Sequence, residues 1–210
     1  MNLRTKRFEL DGPAGVIEAL RDEPMDDARP PVGTAVIAHP HPLFGGTMDN
    51  KVVQTLARAF VQAGWRAVRF NFRGVGGTAG TYDEGRGELD DLLAVVKSEA
   101  GTGELALAGF SFGSFVAASA AVRLWHTRPA RKIVLVGTAS SRFGVPQLPQ
   151  DAHDATLVVH GDQDDTVPLA SVLDWARPQL LPVTVVPAVE NFFHGQLPVL
   201  KSLVLRHLRS

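Results

Sequence analysis

The chain has 210 residues, 45% hydrophobic and 20% charged, a balance that suits a globular protein with a sizeable core. Its 21 Lys and Arg face 22 Asp and Glu, a formal net charge of −1. That leaves no electrostatic footprint for nucleic acid or an anionic membrane surface. Cysteine is absent, which excludes disulfide frameworks, thiolate metal sites and thiol nucleophiles together.

Met1 to Arg7 is basic, but Phe8-Glu9-Leu10-Asp11 stands where the apolar core of a signal peptide would lie. No run approaches the roughly 18 apolar residues needed to span a bilayer. The expectation is a cytoplasmic protein with one domain over residues 1–210, no membrane contact and no nucleic-acid partner.

Lys6 to Leu10 and Gly15 to Leu20 read as two strands around a Gly12-Pro13 turn, an antiparallel hairpin at a sheet edge. Short apolar runs then follow: Ala35–Ala38, Val68–Phe72, Leu105–Ala108, Ile133–Val136, Leu157–Val159 and Val183–Val186. Most are too continuous for half-exposed strands and too short for buried helices. Parallel strands covered on both faces fit them. Helical patterns lie between: Val52, Val53, Leu56, Ala57 and Phe60; Leu89, Leu92, Leu93 and Val96; a small-residue helix after Ser111; and Leu200, Leu203, Val204 and Leu208. Strand alternating with helix predicts an α/β class, a mostly parallel twisted sheet with helices on both faces.

Gly109-Phe110-Ser111-Phe112-Gly113 follows a predicted buried strand and opens a helix. This is G-x-S-x-G in the context of strand, sharp turn and helix. Side chains at the two glycines would collide with neighbouring backbone. The turn lifts the serine hydroxyl above the carboxyl end of the sheet. The Phe112 N–H then faces a developing oxyanion at the positive end of the helix.

A nucleophilic serine needs a base, and the base an orienting carboxylate. In enzymes built on such a turn the chain order is Ser, acid, His. His160-Gly161-Asp162-Gln163-Asp164-Asp165 follows the strand Leu157–Val159, where sites in parallel sheets assemble. Three carboxylates compete there. After the last strand, Asn191-Phe192-Phe193-His194-Gly195 holds the one histidine before the terminal helix. His194 is therefore the expected base. His207, inside that helix, reads as a surface residue.

His39-Pro40-His41-Pro42-Leu43-Phe44 follows the strand Ala35–Ala38. The two prolines lack an N–H, so the donors left for an oxyanion are His41 and Leu43. Zinc on His39, His41 and Asp49 is the rival reading. H-x-H at a strand end belongs to barrels of about 250 residues, and no H-E-x-x-H occurs. No metal and no cofactor are expected. Gly74-Val75-Gly76-Gly77-Thr78-Ala79 fits a dinucleotide fingerprint, but the helix pattern starts only near Glu88. A flexible loop is expected instead. Arg73 is expected to hold it through Asp83 or Glu88.

On His39–Lys51, Asn71–Gly76, Tyr82–Glu88, Gly109–Gly113, His160–Asp164 and Phe193–Gly195, the chain resembles the small lidless bacterial serine α/β hydrolases, relatives of dienelactone hydrolase and of acyl-peptidase catalytic domains. The resemblance implies the α/β-hydrolase fold and a triad of Ser111, Asp164 and His194. It also implies an oxyanion hole from the Phe112 and His41 amides. Dienelactone hydrolase itself uses a cysteine, so its substrate does not carry over. Only about 18 residues separate the strands ending at Gly137 and starting near Thr156, which leaves no room for a substantial lid. The expected function is hydrolysis of a carboxylic ester with a small or exposed acyl group, with Leu43 and Phe44 against the substrate. Thioester or acyl-peptide cleavage by the same triad, or a non-catalytic binding protein, are the alternatives. A homodimer through an edge strand or the terminal helix is compatible with the sequence.

Overall fold

A computed structural model describes residues 4–25 and 29–210. Met1, Asn2 and Leu3 of the basic N-terminal stretch lie outside the described residues. In chain order the strands are β1 (Thr5–Gly12), β2 (Gly15–Asp22), β3 (Gly33–Ala38), β4 (Arg66–Phe70), β5 (Glu104–Phe110), β6 (Lys132–Val136), β7 (Thr156–Gly161) and β8 (Val183–Val186). The helices are α1 (Lys51–Gln62), α2 (Arg86–Glu99), α3 (Phe112–Leu124), α4 (Leu169–Ala176) and α5 (Leu197–Arg209). They build one eight-stranded sheet in the order β1-β2-β4-β3-β5-β6-β7-β8. The β1–β2 hairpin joins β4 antiparallel, and all pairs from β4 through β8 are parallel.

The runs Ala35–Ala38, Val68–Phe72, Leu105–Ala108 and Ile133–Val136 are buried on both faces, as their continuity required, whereas Val183–Val186 forms the sheet edge, with Val185 39% exposed. Val36, Leu105 and Leu107 face a core shared with α2, α3 and α4. Their neighbours Ala35, Ile37, Ala106 and Ala108 face the opposite core, shared with α1 and α5. Alternation along each strand thus serves two helix layers. Asn50 starts α1 by accepting the Val52 N–H at 2.8 Å, an N-cap that puts Val52, Val53, Leu56 and Phe60 on the sheet. Between β6 and β7 there is only a single 3-10 turn, Gln150–Ala152. Among the described residues no lid covers the carboxyl end of the sheet.

Two readings of the loop after β4 need correction. The glycines Gly74–Gly80 are pinned to β2 rather than left flexible. Glu18 accepts the Gly77 N–H at 3.0 Å and Nδ2 of Asn71 at 2.8 Å, and the Ala79 N–H bonds the Val16 carbonyl at 2.8 Å. Arg73 pairs with Asp91, not with Asp83 or Glu88, through Nη2 at 2.8 Å and Nε at 3.0 Å. Asp91 presents its carboxylate from the buried face of α2, one turn beyond Glu88. Glu88 instead accepts the N–H groups of Asp83 and Gly85 and so starts α2. Asp91 is 1% exposed, so its loss strands a guanidinium in the interior. Asp91→Ala is expected to lower the free energy of unfolding by about 3 kcal/mol, read from urea denaturation.

His207 also departs from expectation. It is half-buried, and its Nε2 donates to the Ala155 carbonyl at 3.1 Å. Burial, then repulsion from Lys132, holds its pKa down to about 4.

Candidate active site

Ser111 sits between β5 and α3 with φ 55° and ψ −118°, a conformation that costs a non-glycine residue on the order of 1–3 kcal/mol. Neighbouring close approaches over-determine it. A Cβ on Gly109 would lie 2.1 Å from the Gly113 carbonyl oxygen, and one on Gly113 would lie 2.3 Å from that of Ala38. Ser114, which the sequence did not single out, accepts the Val136 N–H at 3.0 Å, and its hydroxyl lies 2.7 Å from the Gly109 carbonyl. The Ser111 N–H bonds the Val136 carbonyl at 2.8 Å. The elbow is therefore clamped between β3 and β6.

Because Gly113 lets the elbow press against the end of β3, the loop after β3 lies beside Ser111. The His41 and Phe112 rings are 5.1 Å apart. Neither the Phe112 N–H nor the His41 N–H bonds another described residue. The Leu43 N–H, the other donor left by the prolines, is taken by His41 Nδ1 at 3.2 Å. These elements enclose a cavity of about 250 Å³ walled by Ser111, Phe112, His41, Phe44, Phe143 and Asn191, among others. Leu43 is not part of that wall and is 66% exposed.

Both ring nitrogens of His39 are engaged by backbone. Nδ1 donates to the Pro40 carbonyl at 2.6 Å, and Nε2 accepts the Phe72 N–H at 3.0 Å. His39 therefore braces the loop and has no lone pair to offer a metal. Among the described residues no cluster of three or more His, Asp or Glu could hold an ion. Burial keeps the His39 pKa down at about 4, against roughly 6.5 in the unfolded chain. The folded protein thus resists a proton that the unfolded chain accepts. Stability from the neutral ring is complete above about pH 6.5 and is lost as pH falls toward 4. Between pH 7 and pH 4.5 that loss is roughly 2–3 kcal/mol. Urea denaturation of His39→Gln, which does not titrate there, is expected to fall off less with acid by that amount.

Of the three carboxylates after β7, only Asp164 is buried, at 7% exposure. Its Oδ1 accepts the N–H groups of Thr166 at 3.0 Å and Val167 at 2.8 Å. Its Oδ2 lies 3.7 Å from His160 Nε2. Burial raises its pKa, against the opposing pull of the Val167 N–H and His160. Asp162 instead accepts the Ala188 N–H at 2.6 Å, and Asp165 is exposed.

His194 stands apart from this group. Its side chain is 72% exposed, and Nδ1 lies 2.8 Å from Glu190 Oε1. The same carboxylate accepts the N–H groups of His194 at 2.7 Å and Phe192 at 2.8 Å. Burial pushes the Glu190 pKa up, but those N–H groups and the imidazole outweigh it and hold it down. Between them Phe193 turns into the core at φ 55° and 1% exposure. The structure therefore brings Ser111 together with the His41 loop and the Asp164 loop, and leaves His194 on the outer side of its turn. The residue that this turn sends inward is Asn191, 4% exposed. The sequence signal for it was its place at the start of Asn191-Phe192-Phe193-His194.

A strained serine between a parallel strand and a helix, with an amide-lined loop from β3 beside it, defines the serine-hydrolase version of this sheet architecture. The family model for the alpha/beta hydrolase fold matches residues 41–155. XC6422 from Xanthomonas campestris, described as a lidless serine hydrolase of this class, is 36% identical, with a TM-score of 0.87 over 100% of this chain and 95% of its own. An alpha-beta serine hydrolase homologue from Coxiella burnetii is also 36% identical, with a TM-score of 0.85 over 99% and 98% of the two chains. The uncharacterized protein RP471 of Rickettsia prowazekii is 37% identical over 118 residues, 54% of this chain and 48% of its own. The match thus spans about half the length of that curated relative. The chain belongs to the α/β hydrolase family, and its fold supports hydrolase activity.

Proposed function

We propose that this chain is a serine hydrolase that cleaves carboxylic esters with short or exposed acyl groups. The observation that carries this reading is the elbow. Ser111 is held at φ 55° at the start of a 13-residue helix, beside uncommitted N–H groups on Phe112 and His41. Ser111 attacks the acyl carbon. The carbonyl oxygen, as it gains charge, lies between those two donors at the positive end of α3. Asp164 is the acid of the site. His194 would have to leave Glu190 to act as the base. The cavity of about 250 Å³, walled by Phe44, Phe112 and Phe143, suits an acetyl, butyryl or small aromatic acyl group and not a long chain. Thioesters and acyl-peptides present the same carbonyl.

Turnover of p-nitrophenyl acetate, butyrate and decanoate tests this reading, with mass spectrometry of the acylated protein. The short esters should react at least about tenfold faster than decanoate, with the acyl group on Ser111. A preference for decanoate, or acylation elsewhere, would refute it. A second reading has one observation in its favour. Asn191, a neutral amide, lines the cavity beside Ser111, which suits a protein that binds acyl compounds without turning them over.

A further inference from the structure

The end of β6 is where the side chains around Ser111 converge. A Cβ built on Gly137 would stand 3.2 Å from Asn191 Oδ1 and 3.7 Å from Asp164 Oδ2. Val136, the residue before it, accepts the Ser111 N–H. Asn191 thus lies beside Asp164 and walls the same cavity as Ser111. Its Oδ1 is buried with no hydrogen-bond partner, a costly state that calls for one. A half-turn of the amide places Nδ2 where Oδ1 now lies, facing the Asp164 carboxylate, and swings the carbonyl oxygen to the other side.

No histidine in the neighbourhood is available in its place. His194 is tied to Glu190 by its ring and its N–H, and bringing it inward would pull Phe193 out of the core. His41 Nδ1 accepts the Leu43 N–H, so the neutral ring carries its proton on Nε2 and has no free lone pair. His160 donates Nε2–H to the Val167 carbonyl at 2.9 Å and does not reach the cavity wall.

We infer that Asn191, not His194, occupies the seat of the base between Asp164 and Ser111. Its amide bridges the two as an imidazole would, one end to the carboxylate and the other to the hydroxyl. It is a positioning residue: an amide orients the Ser111 proton but does not take it. In acylation the Ser111 Oγ bonds the acyl carbon and the ester C–O bond breaks. The Oγ proton passes to a solvent hydroxide, and the departing alkoxide takes a proton from water, restoring the hydroxide. Hydroxide then releases the carboxylate and frees Ser111. The inference rests on the reading of Ser111 as nucleophile.

Acylation by p-nitrophenyl acetate from pH 5 to pH 10 tests it in wild type, Asn191→His, His194→Ala and Asn191→His/Ser111→Ala. The wild-type rate should rise about tenfold per pH unit without an inflection near pH 6–7. His194→Ala should stay within about twofold of wild type throughout. Asn191→His should react at least about 100-fold faster at pH 7, with an imidazole inflection, and lose the gain when Ser111 is removed. A loss of about 100-fold in His194→Ala, or a wild-type inflection that this variant abolishes, overturns the inference alone. This comparison decides even where Asn191→His does not fold. A folded Asn191→His at the wild-type rate also overturns it. Absence of a Ser111 adduct from every folded variant overturns both the inference and the ester-hydrolase reading.

Discussion

Gly113→Ala is expected to lower the free energy of unfolding by on the order of 3 kcal/mol or more and to abolish covalent modification of Ser111. The new Cβ would sit 2.3 Å from the Ala38 carbonyl oxygen and 2.6 Å from that of His39. Both are backbone atoms, held by the β3–β5 ladder and by the His39 brackets, so neither can give way as a side chain would. Relief requires α3 to move off the end of β3. That movement would also separate the Phe112 N–H from the His41 N–H. Gly144→Ala is the matched control, since its Cβ meets nothing within 4 Å. Urea denaturation and active-site labelling of both variants should show a severe defect in the first and wild-type behaviour in the second.

Ser111→Gly should part stability from chemistry. Ser111 lies at φ 55°, where glycine has no Cβ to strain. The substitution is expected to stabilise the fold by about 1 kcal/mol and to remove all covalent chemistry at the site. Ser111→Ala keeps the Cβ, so it should lose the chemistry without the stability. Thermal melts beside mass spectrometry of both variants distinguish backbone strain from the loss of the hydroxyl. Equal melting temperatures for the two would mean that the elbow is not strained by its side chain.

The sheet was legible because each parallel strand is a short apolar run, and the elbow because two glycines flank a serine between a strand and a helix. Neither depends on distant parts of the chain. Asp164 was legible as one of three carboxylates, and burial separates it from Asp162 and Asp165. The base was not legible in the same way. His194 and Asn191 are three residues apart, and which one faces Ser111 depends on the turn that Glu190 closes and Phe193 anchors. Counting histidines selects His194, but the turn leaves that side chain exposed and buries Asn191. Arg73 shows the same limit: Asp83 and Glu88 are nearer in sequence, but Asp91 is the carboxylate that α2 presents to it. Leu43 and Phe44 are adjacent, yet only Phe44 reaches the cavity wall.

In the proposed function Ser111 is a nucleophile beside an oxyanion hole formed by the Phe112 and His41 amides. Labelling with a fluorophosphonate, followed by peptide mapping of wild type and Ser111→Ala, separates such a serine from an inert one. The reaction is followed for hours at pH 9, so that a site with Asn191 in place of a histidine base also has time to label. One adduct is expected, on the peptide carrying Ser111 and absent from Ser111→Ala. Folded wild-type protein that takes up no label under these conditions, or takes it up on another residue, would contradict that role for Ser111.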